Sequence, residues 1–149
     1  MDLSFLDVGL RLGAAALTGA VIGINRDLAN KPIGMRTLGL VSLGAATTAV
    51  ATIQVAGMAE NSDAMSRVVQ GVIQGVMAGI SFIGAGVILR DAKARSVEGL
   101  TTAATVWIAA ALGIASGLGA WRTLAVCVPL TLLVLYCGPM IEKLTSNPD

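Results

Sequence analysis

Five stretches of the chain are almost purely apolar: Val8 to Ile24, Thr37 to Ala56, Val68 to Leu89, Thr101 to Gly117 and Thr123 to Ile141. The segments between them hold most of the charge and the residues that break or cap helices, among them Pro32, Gly34, Asn61 and Ser62. A hydrocarbon layer of about 30 Å, crossed at about 1.5 Å per residue, asks for about 20 residues per helix. The pattern therefore predicts an all-α integral membrane protein. Its five transmembrane helices fall over about 8–24, 37–56, 68–89, 101–117 and 123–141, in a single transmembrane domain covering 1–149. Pro129 lies inside the fifth helix, where a neighbouring helix must satisfy the carbonyl it frees.

Finer periodicities separate the helices from one another. In the third, Gly71, Gly75 and Gly79 recur every fourth residue and make a flat face on which another backbone can approach closely. Beside it Arg67, Gln70, Gln74 and Ser81 align in a polar stripe about 100° away. Two readings follow: a helix buried among its four neighbours with the glutamines bonded across, which we prefer, or a hydrated pathway or dimer seam. The fourth helix is small on nearly every side, with Ala103, Ala109, Ala110, Gly113 and Gly117, and belongs in the middle of the bundle. Trp107 is expected to pack inside it and Trp121 to sit at a membrane boundary. Asp7 and Arg11, four apart in the first helix, are placed to pair while the arginine reaches toward the headgroups.

Charge sets the orientation. Arg26, Lys31 and Arg36 lie between the first two helices, and Arg90, Lys93 and Arg95 between the third and fourth. Arg11, Arg67 and Arg122 lie on the alternate side, and Lys143 joins the richer one. Basic loops are retained in the cytoplasm, so the N-terminus is expected outside and the C-terminus inside. Asp2 and Asp7 stand where a signal peptide needs basic residues, so the first helix is expected to be retained.

Composition narrows the chemistry. Of 149 residues, 55% are hydrophobic and 13% charged, which leaves no room for a soluble domain beside five spans. The formal net charge of +1 argues against nucleic acid as a partner. There is no histidine, no phosphate-binding loop ending in Lys and Ser or Thr, and no dinucleotide glycine fingerprint, so neither an enzyme nor a cofactor is expected. Cys127 and Cys137 fall in one helix about 15 Å apart along its axis, beyond disulfide reach. No metal site is expected: Asp27, Asp91 and Glu98 are too few for a dehydrated Mg²⁺, and Glu60 and Asp63 read as a solvated loop.

Three ordered segments carry a resemblance: KPIGMRT at Lys31 to Thr37, FIGAGVILR at Phe82 to Arg90, and GLTTAATVW at Gly99 to Trp107. In these the chain resembles the MgtC/SapB family of bacterial inner-membrane proteins, in its short form without the C-terminal cytoplasmic domain. The chain departs from the family's usual pattern at Asn25, where an acid is common, at Ser81, where glycine is, and at Glu98, where arginine is. No role for an acid at position 25 carries over. The resemblance implies a multi-pass protein of the bacterial inner membrane, linked to magnesium limitation and to stress or virulence adaptation. For some members, modulation of other membrane machines, ATP synthase among them, has been proposed.

The topology places every one of these segments on the cytoplasmic side. Asn25, Arg26, Lys31, Arg36, Thr37, Arg90, Thr101 and Thr102 are expected to form one cluster for a ligand or partner, with Thr101 and Thr102 capping the fourth helix. A positive helix end ringed by arginines favours an anion, a phosphate or a carboxylate; positive-inside charge with helix capping accounts for the same residues without a ligand. Gly84 and Gly86 extend the small-residue face of Gly71, Gly75 and Gly79, which serves helix packing or a homodimer. The reading is a membrane interaction protein; the alternative is a transporter or channel for Mg²⁺ or another small ion. No Asp or Glu lies deeper in any of the expected spans than Asp7, which disfavours transport of a divalent cation.

Overall fold

A computed structural model describes residues 3–55, 62–91 and 96–145, without the side chains of 62, 89–91, 96–97 and 141–145. Among the described residues five helices follow one another: α1 (Phe5–Leu28), α2 (Met35–Gln54), α3 (Ser62–Ala85), α4 (Leu100–Gly117) and α5 (Trp121–Thr145). All five are long and apolar enough to cross a membrane. Between α3 and α4 lies a short antiparallel hairpin, β1 (Leu89–Asp91) and β2 (Ser96–Glu98), in which Arg90 pairs with Val97. The third helix thus ends four residues before the expected Leu89. Gly86 and the turn around it stop it, and the chain leaves as a strand. Asn61, Glu60, Lys93 and Arg95, to which the sequence assigned loop roles, lie outside the described residues.

The bundle is built around α4, the most buried span, packed on α2, α1 and α3. Its small residues allow this, but the decisive glycines are not those of α3. Gly19 and Gly23 on α1, and Gly113 and Gly117 on α4, are each spaced four apart and each face α2. A Cβ on Gly19 would overlap the Leu38 carbonyl oxygen, and one on Gly113 would overlap that of Ser42. Without a hydrophobic gain on leaving lipid, such backbone contact is what holds membrane helices together. Ile22, Leu38, Ala45, Ala49, Val106 and Ala110 fill the space between the three helices.

At the end of the bundle where α1 begins, Arg11 ties α1 to α4. Its Nε donates to Asp7 Oδ2 at 3.1 Å and its Nη1 to the Gly117 carbonyl at 2.9 Å, while Ser116 Oγ donates to the Arg11 carbonyl at 2.7 Å. The expected Asp7–Arg11 pair is made. The guanidinium does not simply reach outward, however, because an unpaired carbonyl at the C-terminus of α4 offers it a better partner. Gly119, at φ +73°, lies under it.

α3 and α5 stand at the periphery. Trp107, expected inside, is 48% exposed on α4, since the inner faces of that helix are filled by Val106, Ala109 and Ala110. Trp121 opens α5 and is half exposed, at the end of its span.

Candidate functional site

Local chemistry shapes the end of the bundle where α1 finishes. The last turn of α1 closes by two backbone bonds, Asn30 N–H to the Asp27 carbonyl and Lys31 N–H to that of Arg26, with Asn30 in the left-handed region at φ +49°. This is a Schellman closure, with asparagine in the position glycine usually takes. Three residues on, Ile33 also has positive φ, +62°, which a β-branched side chain adopts at a cost of about 1–3 kcal/mol. The strained turn brings α2 back antiparallel to α1. Asp27 then secures it: Oδ2 accepts from Met35 N–H at 2.9 Å, satisfying one orphan donor at the N-terminus of α2 and placing a carboxylate against its positive end. Gly34 leaves room for that carboxylate, since a Cβ there would overlap Oδ1.

Arg26 points the other way, into the bundle. Only 4% of it is exposed. Its Nη2 donates to Thr102 Oγ1 in the first turn of α4, and its Nε is buried with no hydrogen-bond partner. Asn25 beside it is buried as well. α4 starts from Gly99, held at φ +87° against the Val87 carbonyl, with no side chain capping it. Here the expectation that Thr101 and Thr102 cap α4 fails. Thr102 sits inside the first turn and takes the arginine, while Thr101 is exposed. Among the described residues, no group of three acidic residues or cysteines is placed to hold a metal ion.

Of the residues expected to cluster, the structure buries Asn25, Arg26 and Thr102 and joins the last two by a hydrogen bond. Lys31, Arg36, Thr37 and Thr101 lie exposed at this same end. Arg90 joins the hairpin through its backbone, and its side chain is outside the described part. A Cβ on Gly84 would stand 3.5 Å from Ala103 Cβ of α4, so this glycine lies at a helix contact; one on Gly86 would meet only the turn that ends its own helix. Gly71, Gly75 and Gly79 have nothing within 4 Å of where a Cβ would stand among the described residues. Arg67, Gln70, Gln74 and Ser81 are exposed, and Ser81 Oγ donates to the Met77 carbonyl of its own helix. The preferred reading of α3 as enclosed by its neighbours is thus corrected, because the glycines of α1 and α4 claim the close contacts and leave α3 outside. Along it runs an open groove of about 550 Å³ lined by Met65, Ser66, Val69, Gln70, Ile73 and Gln74.

Asp27 was the residue sequence reasoning undervalued. Its signal was a carboxylate eight residues before a helix start across a Pro-Ile-Gly turn.

Five apolar helices with a buried arginine at one end define a multi-pass membrane protein of bundle type. The chain belongs to the MgtC family, whose model matches residues 12–144. It is 43% identical to protein SrpB of Synechococcus elongatus, over 94% of this chain and 79% of that protein. It is 36% identical to protein SapB of Bacillus subtilis, over 96% of this chain and 61% of SapB, and 36% identical to protein MgtC of Salmonella typhimurium, over 90% and 52%. The chain therefore spans little more than half the length of MgtC. No solved structure matches it.

Proposed function

We propose that this protein acts without catalysis, by binding or modulating other components of the bacterial inner membrane through the end of its bundle that holds Arg26, Thr102 and Asp27. The observation that carries the reading is the convergence at that end. A buried charge and a strained turn from the end of α1, and a helix start without a side-chain cap from a distant segment, meet there. Strain and buried charge cost stability, and proteins keep them where something binds. The positive-inside distribution of Lys and Arg supports a cytoplasmic placement of this end.

Magnesium limitation and stress adaptation enter as the setting that the family resemblance supplies, and an ATP synthase is the kind of membrane machine the same resemblance supplies as partner. A second copy of this chain is part of the proposal as well. The row of Gly71, Gly75 and Gly79 admits a backbone closely, and the amides of Gln70 and Gln74, each donor and acceptor, are complementary to their own copies across a two-fold axis. None of the nine acidic residues lies in the middle of a span, which supports binding over cation transport.

The test is affinity capture from native membranes in mild detergent, comparing the unmodified chain with an Arg36→Ala, Arg90→Ala chain whose folding has been checked. A membrane complex retained by the first and lost by the second is the expected result. An identical set of retained proteins for both overturns the reading.

A further inference from the structure

The geometry points to an oxyanion site at Arg26, in which a phosphoryl group, from a lipid headgroup or free in solution, accepts from the guanidinium's unpartnered Nε beside the first turn of α4. The inference names the ligand chemistry of the binding end described above and rests on that reading for its functional meaning.

Arg26 is a charge taken out of water with little to compensate it. At 4% exposure it has, among the described residues, one hydrogen bond, to the neutral Thr102 hydroxyl, and a buried Nε without a partner. A buried guanidinium is normally matched by a carboxylate with its remaining donors satisfied. Asp7, on the same helix, is paired with Arg11 at the other end of α1. Asp27, the adjacent acid, has turned to the N-terminus of α2, and Asn25 on the other side is neutral.

The neighbourhood adds a second positive element. α4 begins at Gly99 with no side-chain cap, so the N–H groups of Leu100, Thr101 and Thr102 have no partner within the helix and the dipole presents its positive end. Arg26 reaches this same first turn through Thr102. A cation against a helix N-terminus is an unfavourable pairing until an anion lies beside both, and guanidinium groups and helix N-termini both bind tetrahedral phosphoryl oxygens. Position selects the phosphoryl group over other oxyanions. Arg26 is two residues before the end of a helix long enough to span a membrane, and the ends of such helices lie near the lipid phosphates.

The experiment uses the full chain purified in neutral detergent. One arm titrates inorganic phosphate against chloride at constant ionic strength and follows thermal unfolding by the fluorescence of Trp107 and Trp121. The other arm exposes delipidated protein to phosphatidic acid or to a neutral diacylglycerol and counts retained lipid by native mass spectrometry. Arg26→Gln removes the charge; Arg26→Lys keeps it and removes the fork, and serves if the first variant does not fold. Arg122→Ala, at the far end of the bundle, is the control.

Saturable binding of one phosphoryl group per chain is expected, weakened about tenfold or more in either Arg26 variant and unchanged in Arg122→Ala. Binding in the first arm identifies free phosphate as a source, and binding confined to phosphatidic acid identifies the headgroup. Absence of binding in both arms, or equal binding by the Arg26 variants, overturns the site. If the site binds phosphate as expected while membrane capture is the same for the unmodified and Arg36→Ala, Arg90→Ala chains, the site stands and the functional reading falls.

Discussion

Ser116 and Arg11 bind each other's segments reciprocally: the Ser116 hydroxyl donates to the Arg11 carbonyl at 2.7 Å, and the Arg11 guanidinium donates to the carbonyl of Gly117, the next residue, at 2.9 Å. Both contacts use backbone carbonyls near helix ends or inside an apolar span, where water is scarce. Arg11→Ala removes the Asp7 pair and the Gly117 contact together. We expect it to destabilise the folded protein by about 1.5–3 kcal/mol, and Ser116→Ala by about 1 kcal/mol, in denaturation followed by circular dichroism in detergent. An Arg11→Ala protein as stable as the unmodified one refutes this account of the α1–α4 tie.

Glycine substitutions are expected to divide sharply by helix. Gly113→Ala drives a Cβ toward the Ser42 carbonyl, and Gly19→Ala drives one toward that of Leu38, so each should cost about 1–3 kcal/mol or more through forced separation of the helices. Gly79→Ala meets open space and should lie within about 0.5 kcal/mol of the unmodified chain as a monomer. Thermal unfolding of the three variants side by side checks the contrast, and equal melting temperatures contradict the packing described.

The proposed second copy on α3 makes a different prediction. Gly75→Leu should lower the oligomeric mass, read by light scattering in detergent, from dimer to monomer while leaving the helical content of the chain intact. Unchanged mass removes the α3 seam from the proposal and leaves the Arg26 end untouched.

Asp27→Ala should cost about 0.5–2 kcal/mol, the usual worth of a lost helix N-cap, because Met35 N–H loses its acceptor. Gly34→Ala should cost more, since its Cβ displaces the same carboxylate and disturbs the strained turn at Ile33 as well. Chemical denaturation of both variants gives the order, and the reverse order contradicts the role assigned to Gly34.

The five crossings, the central place of α4 and the Asp7–Arg11 pair were legible in the sequence because each depends on local composition or on spacing along one helix. Which glycines bring helices together was not. Gly71, Gly75 and Gly79 form the longer row, yet Gly19, Gly23, Gly113 and Gly117 make the contacts, because close approach depends on what stands opposite. At the candidate site the motifs did converge on one end, but spacing alone did not separate Arg26, which turns inward to Thr102, from Arg36, which stays exposed. Nor did it show that Gly99, not a threonine, starts α4. Those outcomes belong to the tertiary arrangement: the direction of one side chain at a helix end is set by the neighbour it meets.

Ion flux into proteoliposomes holding the purified chain decides whether this protein binds membrane components without conducting. With Mg²⁺, monovalent cations and phosphate offered in turn, no flux above that of empty liposomes is expected for any of them. Flux of any of these ions that an Arg36→Ala, Arg90→Ala chain of confirmed folding loses would contradict it and make the protein a transporter.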